Sequence, residues 1–435
     1  MNKYEKNYII FLAIAIILVN GLIYNPIEAF GIKGNYYNRE VYTNRYVNME
    51  YDILDYNIEY YDSYSDEIKN KKYDSLILVN EESLTSDGLS ASGLVGITNG
   101  LLVPIELDGS MPSNVSGYLY HKDDFYDETY EYLPKKVYII GGIKAISPSV
   151  DGKFKKDGCT VKRLQGKNRI ETSYKIAEEI KSIKGNVNEM AVTKAYKGEA
   201  DSVSIAYEAI KRKMPVILTN GSNLPSTSPL GAEVNKIYAI GGNAVLKDSL
   251  IKQLHAERIG GKDRYETNYK IIKKFGKREG CTIVSGKTEN LGYALLASTM
   301  KMPIVMTKEK PDKYINAISE MKSIFFANEE IPECDESEFI LASYGKEVFN
   351  AFRKIEHMDF TEIGLDNGYY FYYEPENNYL EGTNVNLKDY IIFAISEYDA
   401  SSERLPYNIA VSRKNGRVYV VPEGHNELVD VTDLV

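Results

Sequence analysis

Apolar positions in this chain fall into short runs separated by helical patterns, and the alternation occurs three times. Leu76–Val79, Met190–Val192 and Cys281–Val284 are runs of strand length. Each precedes an Ala/Gly/Ser-rich helical stretch, at Asp87–Thr98, Asp201–Lys211 and Leu291–Met300, and then a second apolar run at Leu102–Ile105, Pro215–Leu218 and Pro303–Met306. The first two copies end in Val137–Gly142 and Ile237–Gly242; the third ends in Ile324–Asn328. Short β-branched runs alternating with helices predict βαβ-type units with parallel sheets, an α/β fold class. Beyond Ala342 the rhythm changes. Gly368–Tyr373 reads as a strand, and Leu387–Tyr398 has apolar residues at helical spacing. Tyr407–Ser412 and Val418–Val421 flank Asn415-Gly416, a tight-hairpin signal. These predict a small α+β domain at the carboxy terminus.

The repetition extends to individual residues. Val161–Ile176 aligns without gaps on Ala256–Ile271, sharing Arg163/Arg258, Gly166/Gly261, Lys167/Lys262, Arg169/Arg264, Glu171/Glu266, Thr172/Thr267 and Tyr174/Tyr269. A fainter third copy lies at Thr43–Ile53, where Arg45 and the flanking apolar positions persist and Tyr46-Val-Asn stands near the place of the Glu-Thr pair.

The amino terminus has the order of a secretory signal. Lys3 and Lys6 precede an apolar run from Tyr8 to Val19, then a polar break at Asn20-Gly21 and Ala29 at the cleavage position. The run is shorter than the ~20 residues a membrane span needs. Its extension to Tyr24 leaves an uncleaved anchor as the alternative. No Cys follows it, which excludes a lipid-modified amino terminus. The sequence predicts export, with membrane contact only through this segment.

Composition narrows the partners. A net charge of −10 argues against a general nucleic-acid binder. The 37 tyrosines suit carbohydrate or protein contact, although an AT-rich coding sequence is the better explanation of their number. Cys159, Cys281 and Cys334 form neither a disulfide framework nor a metal pattern. The four histidines, at 121, 255, 357 and 425, lack a second ligand at metal spacing. No catalytic constellation, metal site or cofactor motif emerges, so the chain reads as non-enzymatic, with a wall-modifying enzyme or amidase regulator as the alternative.

Arg-x-x-Gly-Lys-Asn/Asp-Arg-x-Glu-Thr, the Asp-initiated small-residue helix, the Met-Pro strand and the Ile-Gly-Gly ending together resemble the cell wall binding repeat 2 family of clostridial-type surface proteins, over roughly residues 41 to 343. The resemblance implies three tandem repeats around a pseudo-threefold axis. It further implies non-covalent binding of an anionic secondary wall polymer, teichoic-acid-like or polysaccharide, on the surface-layer side of a Gram-positive wall. The first copy departs at the Glu-Thr pair, and the third has Asn290-Leu-Gly where Asp usually opens the helix. The expected organisation is 1–29 signal peptide, 41–150, 160–251 and 256–343 repeats, and 344–435 the α+β domain, whose role the sequence leaves unassigned.

An anionic ligand requires clustered cations. Lys153–Lys184 has ten Lys/Arg against four Asp/Glu, and Lys252–Glu279 nine against four. The candidate polymer-binding residues are Arg169, Lys167, Arg163, Arg264, Lys262 and Arg258, with Arg supplying a planar fork and Lys a point charge. A structural role is equally open to the arginines, which would tie a loop to a helix cap. The glycine turns Gly141, Gly142, Gly241 and Gly242 permit close backbone approach to an anion. The sequence has no Gly-x-Gly-x-x-Gly, however, and this favours plain strand-ending turns.

Overall fold

A computed structural model of the chain describes residues 34–36, 39–43, 73–120, 122–123, 128–129, 133–224, 234–275, 280–300, 302–307, 323–326, 346–355, 358, 370–373, 387–396, 404–422 and 428–432. The signal segment, Arg45 and Cys334 lie outside these residues. Among the described residues no helix is long and apolar enough to cross a membrane.

The first described elements are an antiparallel pair, β1 (Gly34–Tyr36) and β2 (Arg39–Thr43). The first unit follows with β3 (Ser75–Asn80), α1 (Leu84–Asp87), α2 (Ser92–Thr98), β4 (Gly100–Ile105) and α3 (Ser113–Leu119). A short pair, β5 (Lys122–Asp123) and β6 (Glu128–Thr129), leads to β7 (Lys136–Ile140), α4 (Pro148–Lys156) and β8 (Thr160–Leu164). The second unit runs α5 (Arg169–Lys184), β9 (Glu189–Lys194), α6 (Glu199–Arg212), β10 (Val216–Thr219), β11 (Lys236–Ile240), α7 (Asp248–Leu254) and β12 (Glu257–Ile259). The third comprises α8 (Arg264–Phe275), β13 (Gly280–Ser285), α9 (Leu291–Ala297), β14 (Ile304–Thr307) and β15 (Ser323–Phe326).

Three sheets result, ordered β4-β3-β7-β8, β10-β9-β11-β12 and β14-β13-β15-β2-β1. All pairings are parallel except β1 with β2. β3 and β13 are buried along their whole length and β9 along all but its two ends, which accounts for their uninterrupted apolar runs. The fourth strand of each sheet comes from the next repeat copy. β8, which carries Arg163, pairs with β7; β12, which carries Arg258, pairs with β11. The third sheet has no copy after it and takes β2 from the start of the chain, with Ile324 opposite Val41. Sheets and repeats are therefore out of phase by one strand. The last copy is completed by the first.

The small-residue helices meet in one core. Leu94 and Val95 of α2, Val203, Ala206 and Ile210 of α6, and Leu291, Ala294 and Leu295 of α9 share a single buried cluster. Gly96 explains the small residues: a Cβ there would sit 1.9 Å from the Ile210 carbonyl oxygen, so α2 and α6 are in backbone contact. Such an approach is open only to glycine.

At the carboxy-terminal end, β16 (Tyr370–Tyr373), β17 (Tyr390–Ser396), β18 (Arg404–Ser412), β19 (Val418–Pro422) and β20 (Val429–Asp430) form an antiparallel meander. Helix α10 (Lys346–Ile355) packs Val348, Phe352 and Ile355 against Ile391, Phe393, Ile409 and Val411. The hairpin at Asn415-Gly416 is present, with Gly416 at φ +67°. The helix expected over Leu387–Tyr398 is instead a 3-10 turn followed by β17. Ile391, Phe393 and Ile395 enter the core under α10, while Ile392 packs on the opposite face with Tyr390 and Tyr419. Burial on both faces produced an apolar run without strand alternation.

Candidate functional site

The shared motif forms a clasp between loop and helix. In the second copy the Asn168 carboxamide oxygen caps α5, accepting from the amides of Ile170 and Glu171 at 3.0 and 3.1 Å. Thr172 accepts the Gly166 amide at 3.1 Å, and Glu171 the Lys167 amide at 2.9 Å. The third copy repeats this at α8. Asp263 accepts the Glu266 amide at 2.8 Å, Thr267 the Gly261 amide at 2.9 Å, and Glu266 the Lys262 amide at 3.0 Å. Gly-Lys-Asn/Asp-Arg-x-Glu-Thr thus encodes a loop folded back onto a helix start, a variant of the capping box.

The six cationic candidates separate into three pairs. Arg163 and Arg258 lock the glycine turns. Arg163 donates to the carbonyls of Gly141 at 3.1 Å and Ser147 at 3.3 Å and pairs with Asp151; Arg258 donates to Gly241, Leu246 and Asp248, each at 2.8 Å. Gly141 and Gly241 take φ +111° and +125° and donate their amides to Leu164 and Ile259, which ties each turn to the neighbouring strand. The Gly142 and Gly242 carbonyls accept the amides that open the following turn.

Arg169 and Arg264 stand at the first positions of α5 and α8 and reach forward into the loop after the next strand of their own unit. Arg169 donates to the Ala195 carbonyl at 2.7 Å, pairs with Glu199 at 2.9 Å and stacks on Tyr196 at 4.5 Å. Arg264 donates to the Gly286 carbonyl at 2.8 Å and the Thr288 hydroxyl at 3.2 Å. Behind each stands a carboxylate that opens the preceding unit's small-residue segment. Burial pushes Asp87 above the usual carboxylate range, against the opposing pull of Arg169. Burial pushes Asp201 up to about 6, opposed by Thr267 and Arg264. In the third unit this position is Asn290, whose buried amide nitrogen has no partner among the described residues.

Lys262 opens onto a cleft of about 820 Å³ where the three units converge. Lys197, Glu199 and Asp201 come from the β9–α6 loop and the start of α6, Gly242 and Asn243 from the turn after β11, and Lys262, Arg264 and Tyr265 from the start of α8. Arg169, Thr85 of the first unit, and Thr288 and Leu291 of the third complete it. Of the six sequence candidates, the cleft brings together Arg169, Lys262 and Arg264; Lys167, Arg163 and Arg258 do not line it. Among the described residues no carboxylate lies within ion-pair distance of Lys197 or Lys262, since Glu199 takes Arg169 and Glu266 takes Lys270. Both lysines are exposed, and neither makes an ion pair among the described residues. Lys197, at φ +59°, and the buried Asp201 were not singled out in sequence; the only signal was the Asp at the same helix-opening place in two copies. No group of three or more His, Cys, Asp or Glu side chains suited to a metal converges among the described residues.

Comparison with known proteins places the repeats. Residues 163–251 and 258–332 match the Cell wall binding domain 2 family. Cwp6 from Clostridium difficile aligns with TM-score 0.56 and 24% identity over 70% of this chain and 48% of its own, and Cwp8 from the same organism with 0.56 and 23% over 71% and 52%. These two share the fold. Among curated proteins, the Bacillus subtilis N-acetylmuramoyl-L-alanine amidase LytC is 25% identical over 184 residues, and the Bacillus subtilis amidase enhancer 28% over 186, each covering 41% of this chain. The matches span only 36% and 25% of those two proteins. The family match therefore falls on the paired repeats that build the second and third units.

Proposed function

We propose that this chain is an exported, non-enzymatic protein held non-covalently on a Gram-positive wall, and that its cleft binds an anionic wall polymer. The observation that carries the reading is the pair of exposed lysines, Lys197 and Lys262, which make no ion pair among the described residues and face one cleft where the repeat loops converge. The family match of the second and third units supports a cell-wall partner, and exposed cations outside ion pairs suit polymer phosphates or carboxylates. In this reading Arg163 and Arg258 keep the turns in shape, Arg169 and Arg264 tie each helix start to the following loop, and the lysines meet the ligand. Residues 1–29 direct export, the three repeats surround a pseudo-threefold axis, and 344–435 form a separate α+β domain. The cyclic hand-over of fourth strands and the shared core support that arrangement.

The first unit is a poor polymer site in this reading. Where the second unit has Lys197, the corresponding loop of the first has exposed Glu81 and Glu82. The test is retention on purified walls at rising salt by the Lys197→Gln/Lys262→Gln double variant. Weaker retention with a shallower salt slope is expected. Retention and slope equal to wild type would remove the cleft from the binding site.

A further inference from the structure

We infer that Asp201 is an affinity-determining residue of this cleft, an acid that weakens anion binding when ionised and permits it when protonated. The inference rests on the polymer-cleft reading and adds its regulation. Asp201 lines the cleft at the start of α6, yet is only 7% exposed. One carboxyl oxygen lies 3.1 Å from the place a Cβ on Gly241 would take, so the carboxyl packs under the glycine turn that forms one wall. The charged groups lining the cleft around it are Lys197 and Glu199 from its own loop and helix, Arg169 from α5, and Lys262, Asp263 and Arg264 from the start of α8; the turn after β11 contributes none. Glu199 is held by Arg169, and Asp263 is occupied in capping α8. Asp201 is the cleft carboxylate with neither a salt bridge nor a cap.

Its buried position favours the neutral form to higher pH than an exposed Asp, so the cleft gains a negative charge within the mildly acidic range. At an effective dielectric of ~40–80, a charge about 6 Å from a bound phosphate weakens binding roughly three- to tenfold. The chain carries its own precedent for the neutral residue: Asn290 opens the equivalent helix of the third unit and is equally buried.

The test uses the full exported chain and polyglycerol phosphate without amino substituents, whose phosphodiester charge is constant from pH 5 to 8. Wild type should lose roughly three- to tenfold in affinity between pH 5 and 7.5. Asp201→Asn should bind at the tight, acid-pH level throughout, and Lys262→Gln should bind more weakly at both pH values while keeping the pH dependence. A flat wild-type profile, or the same pH dependence in Asp201→Asn, would overturn the role of Asp201 and leave the polymer cleft standing. Absence of binding by wild type at either pH would overturn the cleft reading and Asp201's role with it. Circular dichroism of Asp201→Asn checks that a changed profile does not come from unfolding.

Discussion

Replacing Asp201 by Asn should stabilise the protein at neutral pH and leave it nearly unchanged at pH 4. Folding raises the Asp201 carboxyl from an ordinary 3.8 to about 6, because burial costs more than Thr267 and Arg264 return. A folded-state value above the unfolded one means the native state binds the proton more tightly. Stability from this group is complete below about pH 4 and is lost as pH rises through about 6. The two values differ by about 2, and at 1.36 kcal/mol for each the loss reaches about 3 kcal/mol near pH 7.5. Asn cannot ionise and escapes the loss. Urea unfolding of wild type and Asp201→Asn at pH 4, 5, 6, 7 and 8 measures the difference, and subtraction cancels every other titrating group. The expected curve is near zero at pH 4 and rises by about 3 kcal/mol to a plateau above pH 7. A difference that is constant with pH, or one in which the variant loses stability as pH rises, would refute the argument.

Other consequences follow from the same geometry. Gly96→Ala drives a methyl into the Ile210 carbonyl and should cost about 1–3 kcal/mol, read as a lower thermal midpoint. Arg258→Met breaks three hydrogen bonds to Gly241, Leu246 and Asp248 and should cost about 2–3 kcal/mol in urea unfolding. Removing residues 1–43 takes β2 from the third sheet and leaves the β15 edge unpaired, so the truncated chain should self-associate in light scattering where a chain that keeps β1 and β2 does not. Gly416→Ala forces alanine to φ +67° at the β18–β19 turn and should destabilise by about 1 kcal/mol, measured by hydrogen exchange along the hairpin.

The locations of the α/β units were legible because buried parallel strands have to be continuously apolar, and β3, β9 and β13 fall within two residues of the expected runs. Asn415-Gly416 was equally legible, since few residue pairs accept its turn. β17 was misread because an element buried on both faces has no alternation to display. The site was harder. Matching arginines in two copies signalled a shared constraint, but a backbone carbonyl and a polymer phosphate ask the same fork of Arg. Only the positions of Ala195, Gly286, Gly141 and Gly241 distinguish these partners.

The sequence by itself determined the order of strand and helix within each α/β unit and the residues of the loop–helix clasp. These depend on interactions spanning a few residues. Tertiary structure alone decided that each sheet borrows its fourth strand from the next copy, with β2 returning across the chain to β15. It also decided that Lys197 and Lys262 share a cleft and that Asp201 lies buried beside them. Those facts depend on contacts between residues tens to hundreds of positions apart, and on burial, which sets a carboxyl's charge through its solvation and not through its neighbours in sequence.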